Sequence, residues 1–316
     1  LAHAGIDGTG RPGAYALRSP DEVQDADAPV AGGRVTTRPP PWRVALLSRR
    51  RTDVLLAGIE RWPAGVFADP TTVEGRAAWY SFAFWLRQAA AVRLDVDTSE
   101  LDAGFRSLSQ NGRPVGQAFL SDRLENGAGY CRELARPEQF EALLAHARPA
   151  APGSIAVAWT EIVPESGRPA PHGLECDTSC NRCLRDFGNL PYHGLLDWRL
   201  ALDMARLASS AASVIDLNTA LVDRDNPWRR LIAESQAPVP GLLTRLRYHP
   251  VGEIGGLRMY LHADRRRILI ERHPLWTDAH PVWLRAVEEA RRRHTESVEF
   301  LPVNPFTLLR RPGDFA

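Results

Sequence analysis

Residues 76–94 form a stretch that has almost no polar face. Its apolar residues recur on every side of a helix with 3.6 residues per turn instead of following one stripe. Such a helix has to be enclosed by protein, which forces other elements to pack around it. The sequence therefore predicts a buried central helix, whose apolar positions are Ala77, Ala78, Trp79, Tyr80, Phe82, Phe84, Trp85, Leu86, Ala89 and Val92.

Short strand-like and helix-like segments follow one another on both sides of the predicted helix. Among them we predict strands over residues 118–120 and 242–248 and an amphipathic helix over residues 195–212. This succession predicts an α+β fold, with a mixed α/β domain over residues 44–212 and a small α/β C-terminal domain over residues 213–316. Gly and Pro punctuate residues 1–43, which we interpret as a linker or a poorly ordered segment.

All 39 basic residues of the sequence are Arg, and Lys is absent. A P-loop, a pyridoxal site and a protein-kinase site each need a Lys, so these classes are excluded. The formal net charge of +1 argues against a polybasic protein. We find neither a signal peptide nor an apolar run that could span a membrane, and we expect a cytoplasmic protein without a membrane partner. Because the chain begins with Leu1, we expect it to belong to a longer polypeptide.

Three of the four cysteines form a C-x3-C-x2-C pattern. Without a sign of secretion, such clustering favours a metal site over disulfides, with three free cysteines as the remaining alternative. Tetrahedral zinc needs a fourth ligand, for which Cys131 is the first candidate, and His172 and His193 flank the cluster as alternatives. Thiolate-rich sites suit structural Zn2+ or an iron–sulfur cluster. The predicted zinc ligands are therefore Cys131, Cys176, Cys180 and Cys183.

Two enzyme hypotheses compete with a structural metal site. The cysteine spacing is also that of radical S-adenosylmethionine enzymes, but Arg182 stands where those enzymes usually have an aromatic residue. Too few residues follow Cys183 for a barrel of about 200 residues or more. Asp264 and Glu271 loosely imitate a nuclease strand, but the Lys that such sites commonly use is absent. A catalytic metal would need acid and base groups nearby, for which the sequence offers Asp186, His193 and Asp197.

Five segments, taken in order, resemble the MrfA-like zinc-binding domain. That domain occurs at the C-terminus of superfamily 2 DEAD/DEAH-type helicases and in the DrmB-type component of the DISARM anti-phage system. The resemblance covers roughly residues 44–212 and implies a structural zinc held by four cysteines, onto which Cys176, Cys180, Cys183 and Cys131 map. No phosphate-binding loop and no DEAD or DEAH box occurs in this sequence. The matching segments are residues 76–87, 94–101, 126–130, 176–189 and 196–201.

The resemblance implies a zinc-stabilised accessory domain of a DNA helicase system, in DNA repair or anti-phage defence, that is not itself catalytic. Its expected partners are DNA and a superfamily 2 motor, either in the same longer chain or as a separate subunit. A pure scaffold is the further alternative. Arginine clusters at residues 265–267, 291–293 and 310–311 are either a phosphate-binding surface or solvated faces. The expected DNA or motor contacts are Arg123, Arg132, Arg182 and Arg185.

Overall fold

The computed structural model divides the chain into two units, residues 1–51 and residues 52–316. In the first unit, strand β1 (Ala4–Ile6) pairs antiparallel with β2 (Tyr15–Leu17). The rest of the predicted linker over residues 1–43 lies outside the described residues. The structure describes residues 4–6, 15–17, 51–148, 153–161, 169–220, 223, 226–233, 237–294 and 298–316.

The predicted central helix is α1 (Val73–Leu94), and it lies in the core. It begins where the Thr72 hydroxyl accepts the N–H of Gly75 at 3.0 Å, and it ends at Asp95, whose backbone is left-handed. Buried side chains lie on all its faces, as the sequence predicted. Within the described part of the chain, neither this helix nor any other has the length and apolar character needed to cross a membrane.

A three-stranded antiparallel sheet covers one side of α1. Its order is β3 (Val54–Ala57), β5 (Arg113–Asp122), β4 (Leu101–Gln110). Strands β4 and β5 form a hairpin whose two turn residues, Asn111 and Gly112, both have positive φ, as tight hairpin turns require. The sequence had predicted only the last part of β5 as a strand, because the exposed outer half of the hairpin lacks apolar alternation.

In the described residues, five short α-helices follow this sheet along the chain, before the C-terminal part. They are α2 (Tyr130–Leu134), α3 (Pro137–Ala145), α4 (Ile155–Thr160), α5 (His172–Glu175) and α6 (Trp198–Ser209). Helix α6 packs along α1 and is the amphipathic helix that the sequence predicted over residues 195–212.

The C-terminal part contains a four-stranded sheet of order β6-β7-β8-β9, in which β8 and β9 are parallel and joined through a helix. The α+β fold class is thereby confirmed. The predicted strand over residues 242–248 was wrong in most of its length, because Pro238 at the first position of a helix starts α8 there instead. The elements are α7 (Arg229–Ile232), α8 (Pro238–Arg245), β6 (Tyr248–Ile254), β7 (Leu257–His262), β8 (Arg267–Glu271), α9 (Pro281–Arg293), β9 (Glu299–Val303) and α10 (Pro305–Arg310).

Buried polar contacts cross residue 212, where the sequence predicted a domain boundary. The Asp203 carboxylate in α6 accepts the indole N–H of Trp228 at 2.8 Å and contacts His273 Nε2 at 3.0 Å. In the first turn of α1, Glu74 accepts a hydrogen bond from the Thr307 hydroxyl at 2.6 Å. The C-terminal elements are therefore tied to α1 and α6 by side chains that lie largely away from water.

Gly116 in β5 lies directly against the Trp79 indole of α1. A Cβ at this position would lie 2.2 Å from two ring atoms. We expect Gly116→Ala to destabilise the protein by about 1–3 kcal/mol, the usual range for overpacking. Gly58→Ala is the matched control, since nothing lies within 4 Å of the added Cβ. Urea unfolding of both variants checks this, and equal stabilities would contradict the packing of α1 on the sheet.

Burial raises the pKa of the Glu271 carboxyl to about 7, even though Tyr260 donates a hydrogen bond to it. Between about pH 4.5 and pH 7 the folded chain then holds a proton that the unfolded chain releases. The free energy of unfolding should therefore fall as pH rises through this window. Glu271→Gln removes the titration, so its stability relative to the parent should increase from pH 5 to pH 8. Urea unfolding at both pH values measures this, and a constant difference would contradict it.

Candidate metal centre

Three of the predicted cysteines meet at one point together with a histidine. The ligand atoms of His172, Cys176, Cys180 and Cys183 all lie within 4.8 Å of one another. Cys183 Sγ lies 4.0 Å from Cys176 Sγ and 3.9 Å from Cys180 Sγ. Bonds of about 2.3 Å to a tetrahedral zinc ion would place two sulfurs about 3.8 Å apart. The spacing of the thiols therefore fits zinc at the centre of the group.

The imidazole of His172 is oriented as a metal ligand. Its Nδ1 lies 3.0 Å from the carbonyl oxygen of Trp159, which fixes the proton on Nδ1 and leaves the Nε2 lone pair free. Nε2 is buried and has no hydrogen-bond partner among the described residues. An unpartnered buried nitrogen is costly, whereas a metal ion would satisfy it. The site therefore offers three sulfurs and one nitrogen, a set typical of structural zinc.

The first turn of α6 forms hydrogen bonds with the backbone of residues 176–183, which we call the cysteine loop. Trp198 donates its indole N–H to the carbonyl oxygen of Cys176 at 3.0 Å. The fully buried Arg199 donates to the carbonyl oxygens of Asp177 at 2.7 Å and Cys176 at 3.4 Å. Helix α1 contributes Gln88, whose amide donates to the carbonyl oxygen of Cys183 at 2.9 Å. The loop that carries the thiols is thus held by its backbone to both central helices.

The pKa values of Cys176 and Cys183 are shifted in opposite directions. The hydrogen bond from the Cys183 thiol lowers the pKa of Cys176, against the effect of burial, and the neighbouring His172 also contributes to this lowering. Burial raises the pKa of Cys183, whose sulfur also accepts the backbone N–H of Cys180 at 3.1 Å. Zinc binds thiolates, so loading the site would displace the remaining thiol protons, and its affinity should fall in acid.

Cys131 lies outside this group of ligands. Its backbone N–H donates to the Asp122 carboxylate at 2.9 Å, beside the N–H groups of Ala128 and Tyr130 at 2.8 and 3.1 Å. Burial opposes the ionisation of Asp122, but these hydrogen bonds lower the pKa of its carboxyl. Burial and the adjacent Asp122 raise the pKa of the Cys131 thiol to about 12. The Gly-Ala-Gly-Tyr segment (residues 127–130) thus surrounds the buried Asp122 carboxylate. The backbone N–H groups that bind this carboxylate are not available to a phosphate.

The four arginines expected to meet DNA or the motor lie in two places. Arg123 and Arg132 flank the Asp122 turn, where Arg123 donates to the carbonyl of Ser99 at 3.3 Å and Arg132 pairs with Asp53 at 3.2 Å. Near the cysteines, Arg182 pairs with Glu175 at 2.7 Å, and Arg185 donates to Ser179 at 2.8 Å. These arginines therefore also have structural partners within the chain. The side chain of Arg132 is 80% exposed.

The acid and base candidates near the cysteines have structural partners. His193 Nε2 lies 2.8 Å from the Asn189 side-chain oxygen and 3.0 Å from the Asp186 carbonyl oxygen. Asp186 caps the 3-10 helix over residues 187–192 and pairs with Arg87. Asp197 is fully buried as the N-cap of α6, and burial raises the pKa of its carboxyl.

The two residues of the nuclease hypothesis lie in the C-terminal part. Asp264 pairs through both carboxylate oxygens with Arg247. Glu271 is buried and accepts the Tyr260 hydroxyl at 2.9 Å. Glu271 is thus enclosed and Asp264 is held by an arginine, unlike the accessible carboxylates that bind the metal of a nuclease site.

The position of His172 had a signal in the sequence. His172 and Cys176 are four residues apart, one helical turn, so α5 and the residue after it place both side chains on the same face. Extending the cysteine pattern to H-x3-C-x3-C-x2-C would have favoured His172 over Cys131. The fastening role of Arg199 had no such signal, because it depends on carbonyl oxygens that come close only in the fold.

The chain is similar to Druantia protein DruE from Escherichia coli (strain UMEA 4076-1), with 32% identity over 173 residues. The match covers 52% of this chain but only 8% of that protein. No protein-family model matches the chain, so the resemblance to the MrfA-like zinc-binding domain stays a prediction. No solved structure matches it.

We expect His172→Ala to weaken zinc binding by more than the 10–100-fold that changes in the outer shell of a site produce. Cys131→Ala should keep zinc and lose about 1–2 kcal/mol of stability from the removed buried side chain. Titration of each purified variant with a zinc chelator measures the retained metal.

His172→Cys is a further variant, since a fourth thiolate is a common zinc ligand and should restore binding. Zinc loss in Cys131→Ala together with full retention in His172→Ala would show that this ligand set is wrong.

Proposed function

We propose that this chain is a zinc-stabilised, non-catalytic module of an anti-phage defence system. The observation that carries the proposal is the closed group of one imidazole and three thiols, whose spacing suits four-coordinate zinc. Structural zinc sites fill all four positions with protein ligands, whereas catalytic sites keep one open. Zinc bound here would connect α5 to the cysteine loop, and through that loop's backbone to α1 and α6.

The likeness to Druantia protein DruE, an anti-phage defence protein, favours defence over DNA repair. Since the chain spans only 8% of that protein, the module would be a small part of a larger machine. We propose that an ATP-driven superfamily 2 motor lies elsewhere in the same polypeptide or in a separate subunit. This sequence has no Lys, so a P-loop cannot be complete in it.

Several observations support a role other than catalysis. A radical S-adenosylmethionine enzyme needs a cluster iron with an open position, whereas His172 joins the three thiols here in a group spaced for a single four-coordinate ion. The described strands form separate sheets of two, three and four strands instead of a barrel. The carboxylates considered for acid–base or nuclease chemistry cap a helix, pair with an arginine or are buried. A pure scaffold remains the alternative, and it differs from our proposal in having no contact with DNA.

For the DNA or motor contacts we propose the exposed arginines near the Asp122 turn and the cysteine loop. Arg132 and Arg182 hold carboxylates through single nitrogens, at 3.2 and 2.7 Å. A guanidinium has five N–H donors, so each retains several for a phosphate or an acidic partner surface. Surface ion pairs of this kind stabilise a fold by only about 0–1 kcal/mol, so exchanging them for a ligand costs little.

The proposal predicts that protection against phage depends on the metal ligands of this chain. We expect Cys183→Ser to abolish zinc binding. Cells that express this variant should reduce the plating efficiency of phage far less than cells that express the parent protein. Cys131→Ala should protect as well as the parent, because its thiol lies outside the ligand group. Phage plating on cells that express the protein with the genes beside it measures both variants.

The purified 316-residue chain should also hold about one zinc and show no ATP hydrolysis with or without DNA. Full protection by a Cys183→Ser protein that contains no zinc would contradict the structural role of the metal. Iron in place of zinc, with absorbance near about 400 nm, would favour the cluster-enzyme alternative.

A further inference from the structure

The C-terminal sheet brings together two arginine clusters that are far apart in the sequence. Strands β8 and β9 are parallel, and α9 connects them. The helix of such a crossover runs opposite to its strands, so its last turn returns to the edge where both strands begin. The loop over residues 263–266, which leads into β8, lies at the same edge. Arg265 and Arg266 thereby come close to Arg293 at the end of α9.

These side chains line an open cleft with a volume of about 530 Å³. His262 shapes its loop: its Nδ1 accepts the backbone N–H groups of both Asp264 and Arg265 at 3.1 Å. This double hydrogen bond fixes the turn that carries Arg265 and Arg266. The charged and titratable groups of the lining are His262, Asp264, Arg265, Arg266, Arg293 and His294.

Within the described residues, the lining of the cleft carries an excess of positive charge. The one carboxylate among these lining residues, Asp264, is paired through both oxygens with Arg247, which lies outside the lining. Arg293 pairs with Glu289, and Arg265 donates one N–H to the carbonyl oxygen of Ala316 at 2.6 Å. The Arg266 side chain is exposed and has no hydrogen-bond or ion-pair partner in the described part of the chain.

We propose that this cleft binds the phosphodiester backbone of a nucleic acid, which rests on the proposed function and places a DNA contact that the sequence left open. Guanidinium groups bind phosphate oxygens in a bidentate manner, and such contacts need no apolar surface. Protein interfaces are enriched in large aromatic anchors at their centre. The cleft offers three exposed arginines, while its apolar residues are Leu261, Ala263 and Val298, none of which is aromatic.

The test compares two charge-matched double variants of the 316-residue chain. Arg265→Gln/Arg266→Gln removes two guanidinium groups from the cleft. Arg291→Gln/Arg292→Gln removes two exposed arginines of the same helix end that do not line it. Binding of a fluorescent duplex of about 30 base pairs, of its single strand and of fluorescent poly-glutamate is measured by anisotropy over a range of salt concentrations. Zinc content and melting temperature are measured for every protein.

We expect the cleft variant to bind the duplex roughly 10–60-fold more weakly than the parent at about 0.1 M salt. The slope of log K against log salt should become shallower by about 2, since two phosphate contacts are lost. The Arg291→Gln/Arg292→Gln control should bind like the parent. Zinc content and melting temperature should be equal in all three proteins, because the cleft contains no metal ligand.

Three results would overturn the proposal. Equal effects of both double variants, or no effect of either, would show that DNA binds without the cleft, and the proposed function would stand. Binding of poly-glutamate in place of either nucleic acid would show that the cleft takes an acidic protein. Absence of zinc from the parent chain would count against the proposed function and not against the cleft.

Discussion

The meeting of His172 with three cysteines is the constraint on which the arrangement of the central elements depends. The ligand residues occupy one short helix and one irregular loop, neither of which has enough apolar surface to fold alone. A dication bound by thiolates supplies free energy that such segments lack. The carbonyl oxygens of the loop then accept hydrogen bonds from Trp198, Arg199 and Gln88, which transmits the position of the ligands to α1 and α6.

Arginine has two different uses in this lysine-free chain. Arg199 lies fully buried, and its planar group donates to carbonyl oxygens of the cysteine loop and of Pro227, a geometry that a compact ammonium could not reproduce. Arg265, Arg266 and Arg293 lie on the surface, and they come together only because the β8–α9–β9 crossover returns to its starting edge. The same residue type thus fastens the core at one place and accumulates charge at another.

Periodicity was sufficient to predict the buried helix α1, the amphipathic α6 and the α+β class, since these depend on local apolar patterns. It failed at α8, where Pro238 at a helix start outweighed the strand-like residues that follow. Cys176, Cys180 and Cys183 were predictable from their spacing. Cys131 was the natural fourth candidate by chemistry, but Asp122 and the Gly-Ala-Gly turn hold it in a separate buried contact. Long-range contacts of this kind leave no periodic trace in a sequence.

X-ray absorption at the zinc edge of the purified chain distinguishes His172 from Cys131 as the fourth ligand, because it reports ligand types and distances. We expect three sulfur atoms at about 2.3 Å and one nitrogen atom at about 2.0–2.1 Å. Four sulfur atoms would show that Cys131, and not His172, completes the site. An oxygen atom from water in place of the nitrogen would show an open coordination position, which would contradict a structural role for the metal.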